Sequence, residues 1–295
     1  MSDFVEHNSC FSNFNSSSSW VILSPIEQSI KQKIENVGTP LKNWDINIYR
    51  GVLTGFNDAF IINGAKREEI LANCKDDTER TKTAELIRPI LRGRDIKRYS
   101  YEYADLYLIA TFPSKHYDIE EYPTVKEYLL DFGMERLEQT GKEYTKDGIK
   151  IKARKKTNNK WFETQDSISY WDEFNKPKIV WGNLNLSATY TLAPEGMMIN
   201  APATMIVPAN ESLLCILNSK LADYYIRNLG VTRNGGYFEY KPMFIEQLPV
   251  PEKINESIFS KYCNQELNYE KEINHKVYEL YGLNEQEIQF IEQTQ

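Results

Sequence analysis

The chain has 295 residues, of which 41% are apolar and 26% are charged, and its formal net charge at pH 7 is −7. This composition is ordinary for a soluble globular protein and excludes disordered, collagen-like and small disulfide-rich proteins. No apolar run reaches the roughly 18 residues of a membrane helix, and the first twenty residues lack a signal-peptide pattern. We therefore expect a cytoplasmic protein of one or two domains with no membrane partner.

The N-terminal part of the chain predicts an arm followed by a helix. Residues 1–23 are rich in Asn and Ser, which is typical of a flexible arm or linker. Ser24 and Glu27 then have the spacing of a capping box, and Pro25 occupies the first helical position. Apolar residues recur at helical spacing until Gly38, so we predict a short amphipathic helix that packs on another element.

The middle of the chain has short β-branched and aromatic runs separated by Gly, Asn and Pro. These runs predict strands at 45–51, 59–63, 106–111, 177–181, 189–192 and 204–208. Helical periodicity predicts helices at 67–73, 122–136 and 210–230. Because strands and helices do not alternate regularly, we predict an α+β fold with a mixed β-sheet and short interspersed helices, rather than a doubly wound parallel sheet.

From residue 252 onward the composition becomes charged, and the spacing predicts helices at 267–281 and 284–292. We therefore divide the chain into an arm at 1–23, a domain at 24–251 and a helical C-terminal extension at 252–295. The cysteines and histidines are spread along the chain without the clustering that zinc ligands need, so the sequence predicts no metal site.

The charge of the chain is unevenly distributed. Residues 142–160 contain eight basic side chains against two acidic ones, a net charge of +6, and residues 88–98 have a net charge of +4. The remaining chain then carries −17. Because local fields decide where phosphates bind, the acidic total does not exclude a polyanionic partner.

The chain lacks the motifs of several catalytic classes. An adenine methyltransferase needs a glycine-rich loop for its methyl donor and a Pro-Pro-aromatic strand end for the flipped base, and this sequence has neither a Pro-Pro pair nor a G-x-G-x-x-G pattern. Metal-dependent nucleases have an acidic residue ahead of an acidic-x-Lys strand, in which carboxylates hold Mg²⁺ and lysine orients water. Asp223, Glu239 and Lys241 have these residue types, although Asp223 lies in a predicted helix. A stand-alone nuclease and a protein-interaction module whose basic loop binds an acidic protein remain the alternatives.

Gly51 and Gly55 frame a turn between two predicted strands. Glycines allow a loop to approach a partner closely, and the side chains of Thr54 and Asn57 offer donors and acceptors for phosphates or base edges. The alternative is a tight hairpin with polar turn residues.

Residues 87–99 interleave basic and apolar positions around a glycine. We expect three apolar residues to hold the segment against the core, namely Ile90, Leu91 and Ile96. We expect four basic residues to face outward, where guanidinium groups suit phosphate and guanine, namely Arg92, Arg94, Lys97 and Arg98. The alternative is an ordinary solvated charged face.

The basic stretch after residue 142 runs into an aromatic and polar segment. Lys155 and Lys156 would neutralise phosphates, Trp161 would stack or wedge, and Gln165 would pair with adenine. The alternative for Trp161 is a buried packing role. A second polar loop follows the helix predicted at 210–230, and its candidate residues are Arg233, Asn234, Tyr237 and Lys241. Three candidates combine bidentate hydrogen bonding with a loop position and suit base edges best: Asn57, Gln165 and Arg233.

Several of these segments, taken in order, resemble the TaqI-like C-terminal specificity domain. The segments are 51–62, 87–99, the strand 176–181, the helix 214–230 with Leu-Asn-Ser-Lys at 217–220, and the stretch from Gly235-Gly236-Tyr237 to Leu-Pro-Val-Pro at 248–251. The order and spacing agree across about residues 40–251. The tail at 277–283 is also similar to the usual ending of the family.

The resemblance implies that residues 24–251 are a DNA target-recognition domain that binds a specific duplex sequence. It implies no catalysis by this chain alone and no cofactor in it. An N6-adenine methyltransferase domain or subunit, with a nuclease in some cases, would supply catalysis, S-adenosylmethionine and, for a nuclease, Mg²⁺. The chain would then be a fragment or a separate subunit of a restriction-modification system.

Overall fold

The computed structural model describes residues 23–146, 148–230, 232–252, 254, 259 and 269–294. The chain folds into two compact units. The sheet unit comprises residues 46–183 and 189–210, and the helical unit comprises the described residues of 1–45, 184–188 and 211–295. In these ranges no helix has the length and apolar character needed to cross a membrane. Apart from Leu23, the arm predicted at 1–23 lies outside the described residues.

The α-helices of the described residues, in chain order, are α1 Pro25–Val37, α2 Asn57–Phe60, α3 Gly64–Ala72, α4 Asp77–Leu86, α5 Pro123–Leu130, α6 Met134–Leu137, α7 Glu211–Leu217, α8 Lys220–Leu229, α9 Pro242–Ile245, α10 Glu270–Leu280 and α11 Glu285–Gln293. Short 3₁₀ helices occupy Leu41–Asn43, Gly93–Asp95, Pro113–Lys115, Ile119–Glu121, Trp171–Asn175 and Asn234–Gly236.

The strands are β1 Thr39–Pro40, β2 Asn47–Arg50, β3 Ile61–Asn63, β4 Ile87–Leu91, β5 Ile96–Lys97, β6 Ser100–Tyr101, β7 Leu106–Ile109, β8 Glu143–Lys146, β9 Ile149–Lys152, β10 Lys178–Trp181, β11 Leu184–Asn185, β12 Tyr190–Ala193, β13 Met198–Ile199, β14 Thr204–Val207, β15 Phe238–Glu239 and β16 Pro249–Val250.

The sheet unit contains two four-stranded sheets. One is antiparallel with the strand order β12-β10-β14-β2, and Ile179 of β10 lies opposite both Leu192 and Ile206. The other has the order β13-β4-β7-β3, in which β13 and β4 are parallel and the remaining pairs are antiparallel. Two further strand pairs are β5 with β6 and β8 with β9. This mixed pairing confirms the predicted α+β class.

The core of the sheet unit surrounds the central strands of the antiparallel sheet. Every residue of β10 and β14 is buried, as expected for strands covered on both faces. Trp181 of β10 packs against Tyr190 of β12 with ring centroids 5.5 Å apart. Burial of each Ile, Val or Met side chain of β10 and β14 stabilises the unit by roughly 1.5–3 kcal/mol.

The helical unit is organised around cross-links between helices. Ser24 and Glu27 form the predicted capping box at the start of α1. Glu287 of α11 accepts hydrogen bonds from the Ser29 hydroxyl and the Lys33 ammonium of α1, both at 2.7 Å. Burial would raise the pKa of Glu287, but these hydrogen bonds outweigh it and hold the pKa below its ordinary value.

Gly38 lets the end of α1 approach β16 closely. A Cβ at this position would lie 2.3 Å from the carbonyl carbon of Pro249, so only glycine fits. The Tyr281 hydroxyl after α10 donates to the carbonyl of Pro249 at 2.8 Å. Gly38, which the sequence predicts as the end of the helix, is therefore also the residue whose backbone lies against Pro249.

Two predicted helices are interrupted in the structure. The helix predicted at 210–230 divides into α7 and α8 because the Ser219 hydroxyl caps Ala222 and also donates to the carbonyl of Ile216. The helix predicted at 122–136 divides into α5 and α6 at Gly133, which has a left-handed backbone (φ +83°). The strand predicted at 59–63 begins as α2 and becomes extended only at Ile61.

Some elements were not predicted. The basic stretch after residue 142 forms the hairpin β8–β9, with Glu143 opposite Lys152. Helix α4 escaped prediction because its sequence is polar and has little amphipathic periodicity. The C-terminal helices match α10 and α11 closely, although Leu267, where the first was predicted to begin, lies outside the described residues.

The division into units also differs from the predicted boundaries. The helical unit unites α1 with residues 211–251 and with α10 and α11, whereas we predicted one domain at 24–251 and a separate extension. Hydrogen bonds such as those from α1 to Glu287 link segments more than 250 residues apart, which sequence periodicity does not reveal.

Lys178 is a buried cation at the start of β10. Its side chain is fully buried, and the ammonium donates to the carbonyls of Phe174, Lys176 and Pro194 at 2.8–2.9 Å. These three bonds use all the donors of an ammonium group. Burial nevertheless lowers the pKa of Lys178 to about 8.

We predict a pH dependence of stability from Lys178. Its folded-state pKa lies below the ordinary value of 10.5, so between about pH 8 and 10.5 the unfolded chain binds a proton that the folded chain has lost. Stability from this group therefore rises with pH in that window. Relative to Lys178→Met, the free energy of unfolding of the wild type should rise by about 2 kcal/mol between pH 7 and 9.5. Urea denaturation measures this difference. If the free energies of unfolding of the wild type and Lys178→Met changed equally between the two pH values, the prediction would be wrong.

Arg154 is a second buried cation of the sheet unit, and it connects four chain segments. It follows β9 and is 2% exposed. Its guanidinium donates to four backbone carbonyls at 2.5–2.9 Å, those of Leu137, Thr54, Glu163 and Trp161. Burial lowers its pKa to about 10, so the group is still charged at pH 7.

We predict that Arg154→Met lowers the free energy of unfolding by about 3 kcal/mol or more, because it removes four hydrogen bonds to backbone carbonyls, only one of which, that of Glu163, has a second donor among the described residues, in Gln139. Arg154→Lys should also destabilise, since an ammonium has three donors and no planar fork. The matched control is Lys155→Met at the exposed next residue, for which we expect a change within about 0.5 kcal/mol. Equal urea midpoints for Arg154→Met and the control would show that this network contributes nothing.

Candidate nucleic-acid interface

The turn at residues 53–57 presents one exposed amide and one buried hydroxyl. Thr54 is fully buried; its hydroxyl donates to the Asn57 Oδ1 at 2.7 Å and accepts the Phe56 N–H at 3.1 Å. The prediction that Thr54 contacts DNA is therefore corrected, because its side chain is a structural part of the turn. Asn57 is exposed and keeps its amide donors on the surface.

Gln165 lies directly over this turn. Gly55 has a left-handed backbone (φ +77°), and a Cβ there would lie 2.7 Å from the Gln165 Oε1 and 3.1 Å from the Arg154 Cδ. The backbone N–H of Gln165 donates to the carbonyl of Leu53 at 3.1 Å. The structure thus brings Gln165 next to the turn that carries Asn57.

Residues 155–166 form an irregular loop that is fixed by side-chain hydrogen bonds to its backbone carbonyls. The Gln139 amide donates to the carbonyls of Lys160 and Glu163 at 3.1 and 3.0 Å, and Asn159 donates to the carbonyl of Gln165 at 2.9 Å. With the bonds from Arg154, these contacts replace the hydrogen bonds of a regular element. The loop is therefore well determined despite its lack of secondary structure.

Lys155 and Lys156 are exposed on this loop. Neither forms an ion pair within the described part of the chain, so both ammonium groups are available to an anion. Trp161 is half-buried and packs edge-on against Phe162 with centroids 5.5 Å apart. Its ring therefore has a packing role in the sheet unit, the alternative left open by the sequence.

The hairpin β8–β9 adds further positive charge. Of the eight basic residues counted at 142–160, the seven lysines are exposed and Arg154 is buried. Arg154 therefore does not contribute to the surface charge as the sequence suggested. Lys146 lies 3.4 Å from Glu135, whereas Lys150 and Lys152 lie on the exposed strand β9.

The segment at 92–98 is more constrained than predicted. Ile90, Leu91 and Ile96 are buried as expected. The Arg92 guanidinium is held by Asp95 through two hydrogen bonds of 2.8 Å. Burial would raise the pKa of Asp95, but the hydrogen bonds from Arg92 outweigh it and lower the pKa.

The other basic side chains of this segment differ in exposure. Arg94 is exposed, and Lys97 is exposed with its ammonium 3.7 Å from the carboxylate of Glu102. Arg98 is half-buried, with its guanidinium carbon 5.8 Å from the ring centroid of Tyr99. Arg94 and Lys97 therefore fit the predicted outward orientation best.

The second polar loop belongs to the helical unit and follows α8. Here Glu239 of β15 pairs with two predicted site residues, Arg233 and Lys241. Hydrogen bonds from Lys241 and Arg233 hold the pKa of the Glu239 carboxyl below its ordinary value. In the sequence Glu239 belongs only to a nuclease-like pattern, and no local signal indicates this contact with Arg233 and Lys241.

Asn234 and Tyr237 are exposed on the same loop, as a surface contact requires. Gly235 and Gly236 both have left-handed backbones (φ +79°), so the tip can turn sharply between them. The tip is closed by the N–H of Arg233, which donates to the carbonyl of Tyr237 at 2.7 Å. The loop therefore presents its polar side chains on a defined backbone.

The geometry does not favour the nuclease alternative. Asp223 is 3% exposed; its Oδ1 accepts from the Tyr240 hydroxyl at 2.5 Å, and its Oδ2 pairs with Arg227 at 2.9 Å. Burial raises the pKa of Asp223. Across the described ranges, no group of three or more His, Cys, Asp or Glu side chains is placed to hold a metal ion.

Solved structures that share this fold include the following two. The type IIG restriction endonuclease BpuSI matches with a TM-score of 0.50 and 15% identity, over 81% of this chain and 27% of that one. The type IIL restriction-modification enzyme MmeI, solved in complex with DNA, matches with a TM-score of 0.51 and 12% identity, over 87% of this chain and 36% of that one. The matched part is thus 27% of the first neighbour and 36% of the second. A search of curated proteins found no match.

The family comparison agrees with the resemblance noted in the sequence. The model of the TaqI-like C-terminal specificity domain matches residues 88–250. This range covers more than half of the chain, and it includes all of β4 except Ile87, β10, the loop at 155–166 and the loop after α8. The chain belongs to the family of TaqI-like C-terminal specificity domains.

Proposed function

We propose that this chain binds a specific sequence in duplex DNA, as the specificity domain of a restriction-modification enzyme. The observation that carries the proposal is the surface of the sheet unit around Gly55. There an amide on the 53–57 turn, an amide lying over that turn and a pair of exposed lysines on the adjoining loop occur together. The match to a specificity-domain family supports the same function.

The side chains divide by what they can recognise. Exposed lysines such as Lys155 and Lys156 attract phosphates without regard to sequence. The amides of Asn57 and Gln165 can instead form paired hydrogen bonds with an adenine edge in the major groove. In this proposal the lysines supply affinity and the amides supply discrimination.

Catalysis is assigned in this proposal to a separate domain or subunit. An N6-adenine methyltransferase would flip the target base and hold S-adenosylmethionine, and an attached nuclease would hold Mg²⁺. The structural neighbours, a restriction endonuclease and a restriction-modification enzyme, support this arrangement by analogy. No residue of this chain is assigned to either cofactor.

The test of sequence-specific binding is selection from a randomised duplex library, followed by affinity measurements at several salt concentrations. We expect the wild type to enrich one sequence. The double variant Lys155→Glu/Lys156→Glu should bind the enriched and random duplexes more weakly by similar factors. Its slope of log affinity against log salt should be shallower by about 2, because two phosphate contacts are lost.

The matched control for the lysines is Lys31→Glu/Lys75→Glu, which makes the same charge change at two exposed lysines outside the candidate residues. We expect a smaller loss of affinity and an unchanged salt slope from it. Equal slopes for the wild type and the Lys155/Lys156 variant would remove this loop from the interface. Failure of the wild type to enrich any sequence would contradict the proposed function.

A further prediction concerns the two amides. Asn57→Ala and Gln165→Ala should each cost roughly 1–3 kcal/mol on the enriched site and much less on random duplexes. Asn57→Ala should also lower the Tm, because the buried Thr54 hydroxyl loses its acceptor. The control is Asn158→Ala, which removes an exposed amide from the 155–166 loop that also carries Gln165. Unchanged affinity ratios in folded variants would show that neither amide contacts a base.

A further inference from the structure

Glu239 is a shielded carboxylate that binds two cations of the loop after α8. Its Oε1 accepts from the Arg233 Nε at 2.6 Å and pairs with the Arg233 Nη2 at 2.5 Å. Its Oε2 lies 2.8 Å from the Lys241 ammonium. The Glu239 side chain is only 8% exposed, whereas those of Arg233 and Lys241 are 53% and 44% exposed. The acid thus lies behind two cations that face solvent.

This contact uses one edge of the Arg233 guanidinium and leaves another edge directed away from Glu239. The Nε and Nη2 atoms share the carboxylate, and Nη1 forms no hydrogen bond to any described residue. A guanidinium held through its Nε side keeps the N–H groups of its two terminal nitrogens on the opposite edge. That edge has the spacing of the O6 and N7 acceptors of guanine.

The surrounding backbone limits the movement of this side chain. β11 pairs with β15, so Leu184 lies opposite Glu239. Thr232 bridges Phe238 across the loop, and the N–H of Arg233 bonds to the carbonyl of Tyr237 at 2.7 Å. A guanidinium that is fixed before binding loses less rotamer entropy on contact with a base.

A carboxylate here is otherwise unfavourable for a DNA-binding loop. Its negative charge repels phosphates and offsets one of the two nearby cations. A loop that served only to attract the DNA backbone would bind more strongly without it. Glu239 is therefore explained by orientation of the cations and not by affinity.

We propose that Glu239 is a positioning residue for sequence recognition, which holds Arg233 in the orientation that contacts a guanine and directs Lys241 toward a neighbouring phosphate. This inference rests on the proposed function and deepens it. It assigns one guanine of the recognition sequence to Arg233. It also gives the acid a role that differs from the metal ligation suggested by the letters Glu-x-Lys.

The experiment compares the 295-residue wild type with Glu239→Gln, Arg233→Lys and Glu102→Gln, by library selection and by affinity for the enriched and random duplexes. Glu239→Gln keeps the size of the side chain and removes its charge. Glu102→Gln is the matched control, because Glu102 is an exposed acid 3.7 Å from the candidate cation Lys97 and is not bonded to an arginine fork. Melting temperatures verify that each variant is folded.

We expect Glu239→Gln to bind random duplexes more tightly than the wild type and to show a lower ratio of enriched to random affinity. Arg233→Lys should lower that ratio by about 5- to 150-fold, the range of one bidentate base contact. Both variants should relax the same guanine position in the selected sequences. Glu102→Gln should leave the ratio unchanged, because a purely electrostatic change acts on both duplexes alike.

Two outcomes would overturn the inference, and they are distinguishable. If the wild type enriches no sequence, the proposed function fails and this inference fails with it. If the wild type enriches a sequence but folded Glu239→Gln and Arg233→Lys keep its affinity ratio and every selected base, only the role of Glu239 and Arg233 is wrong.

Discussion

The buried guanidinium of Arg154 is the constraint on which the candidate surface of the sheet unit depends. A charge removed from water is costly unless it is hydrogen-bonded, and here four backbone carbonyls accept hydrogen bonds from the guanidinium. Those carbonyls belong to the 53–57 turn, the end of α6 and the 161–163 stretch. The group therefore fixes three irregular segments at once, which places Gln165 over Gly55.

Ionic groups serve two different purposes in this protein. Arg154 and Lys178 are cations bonded only to backbone carbonyls in the contacts described above, so they stabilise loops and strand ends without charging the surface. Glu239 is the reverse case, a shielded acid that holds two cations at the surface. The exposed lysines of β8–β9 and the following loop supply charge with little positional restraint. In the proposed function, affinity and orientation are thus assigned to different side chains.

The pair Asp223 and Glu239 illustrates why a short catalytic pattern needs its tertiary context. As a sequence pattern alone, Glu-x-Lys preceded by an acidic residue is compatible with metal ligation. In the fold, Asp223 is committed to Arg227 and Tyr240, and Glu239 is committed to Arg233 and Lys241. A carboxylate already bonded to cations has little capacity left for a metal ion. The three residues of the pattern therefore belong to two separate networks, Asp223 to one and Glu239 with Lys241 to the other.

The sequence alone determined the elements whose signals are local. Spacing and residue type predicted the capping box at Ser24, the strands around Ile179 and Ile206, and the burial of the apolar residues at 90–96. The order of the motifs identified the family. Only the tertiary structure decided that Thr54 and Arg154 are buried, that Gln165 covers Gly55 and that Glu239 holds Arg233. Whether a polar side chain faces water or a carbonyl depends on segments distant along the chain, and local periodicity carries no information about them.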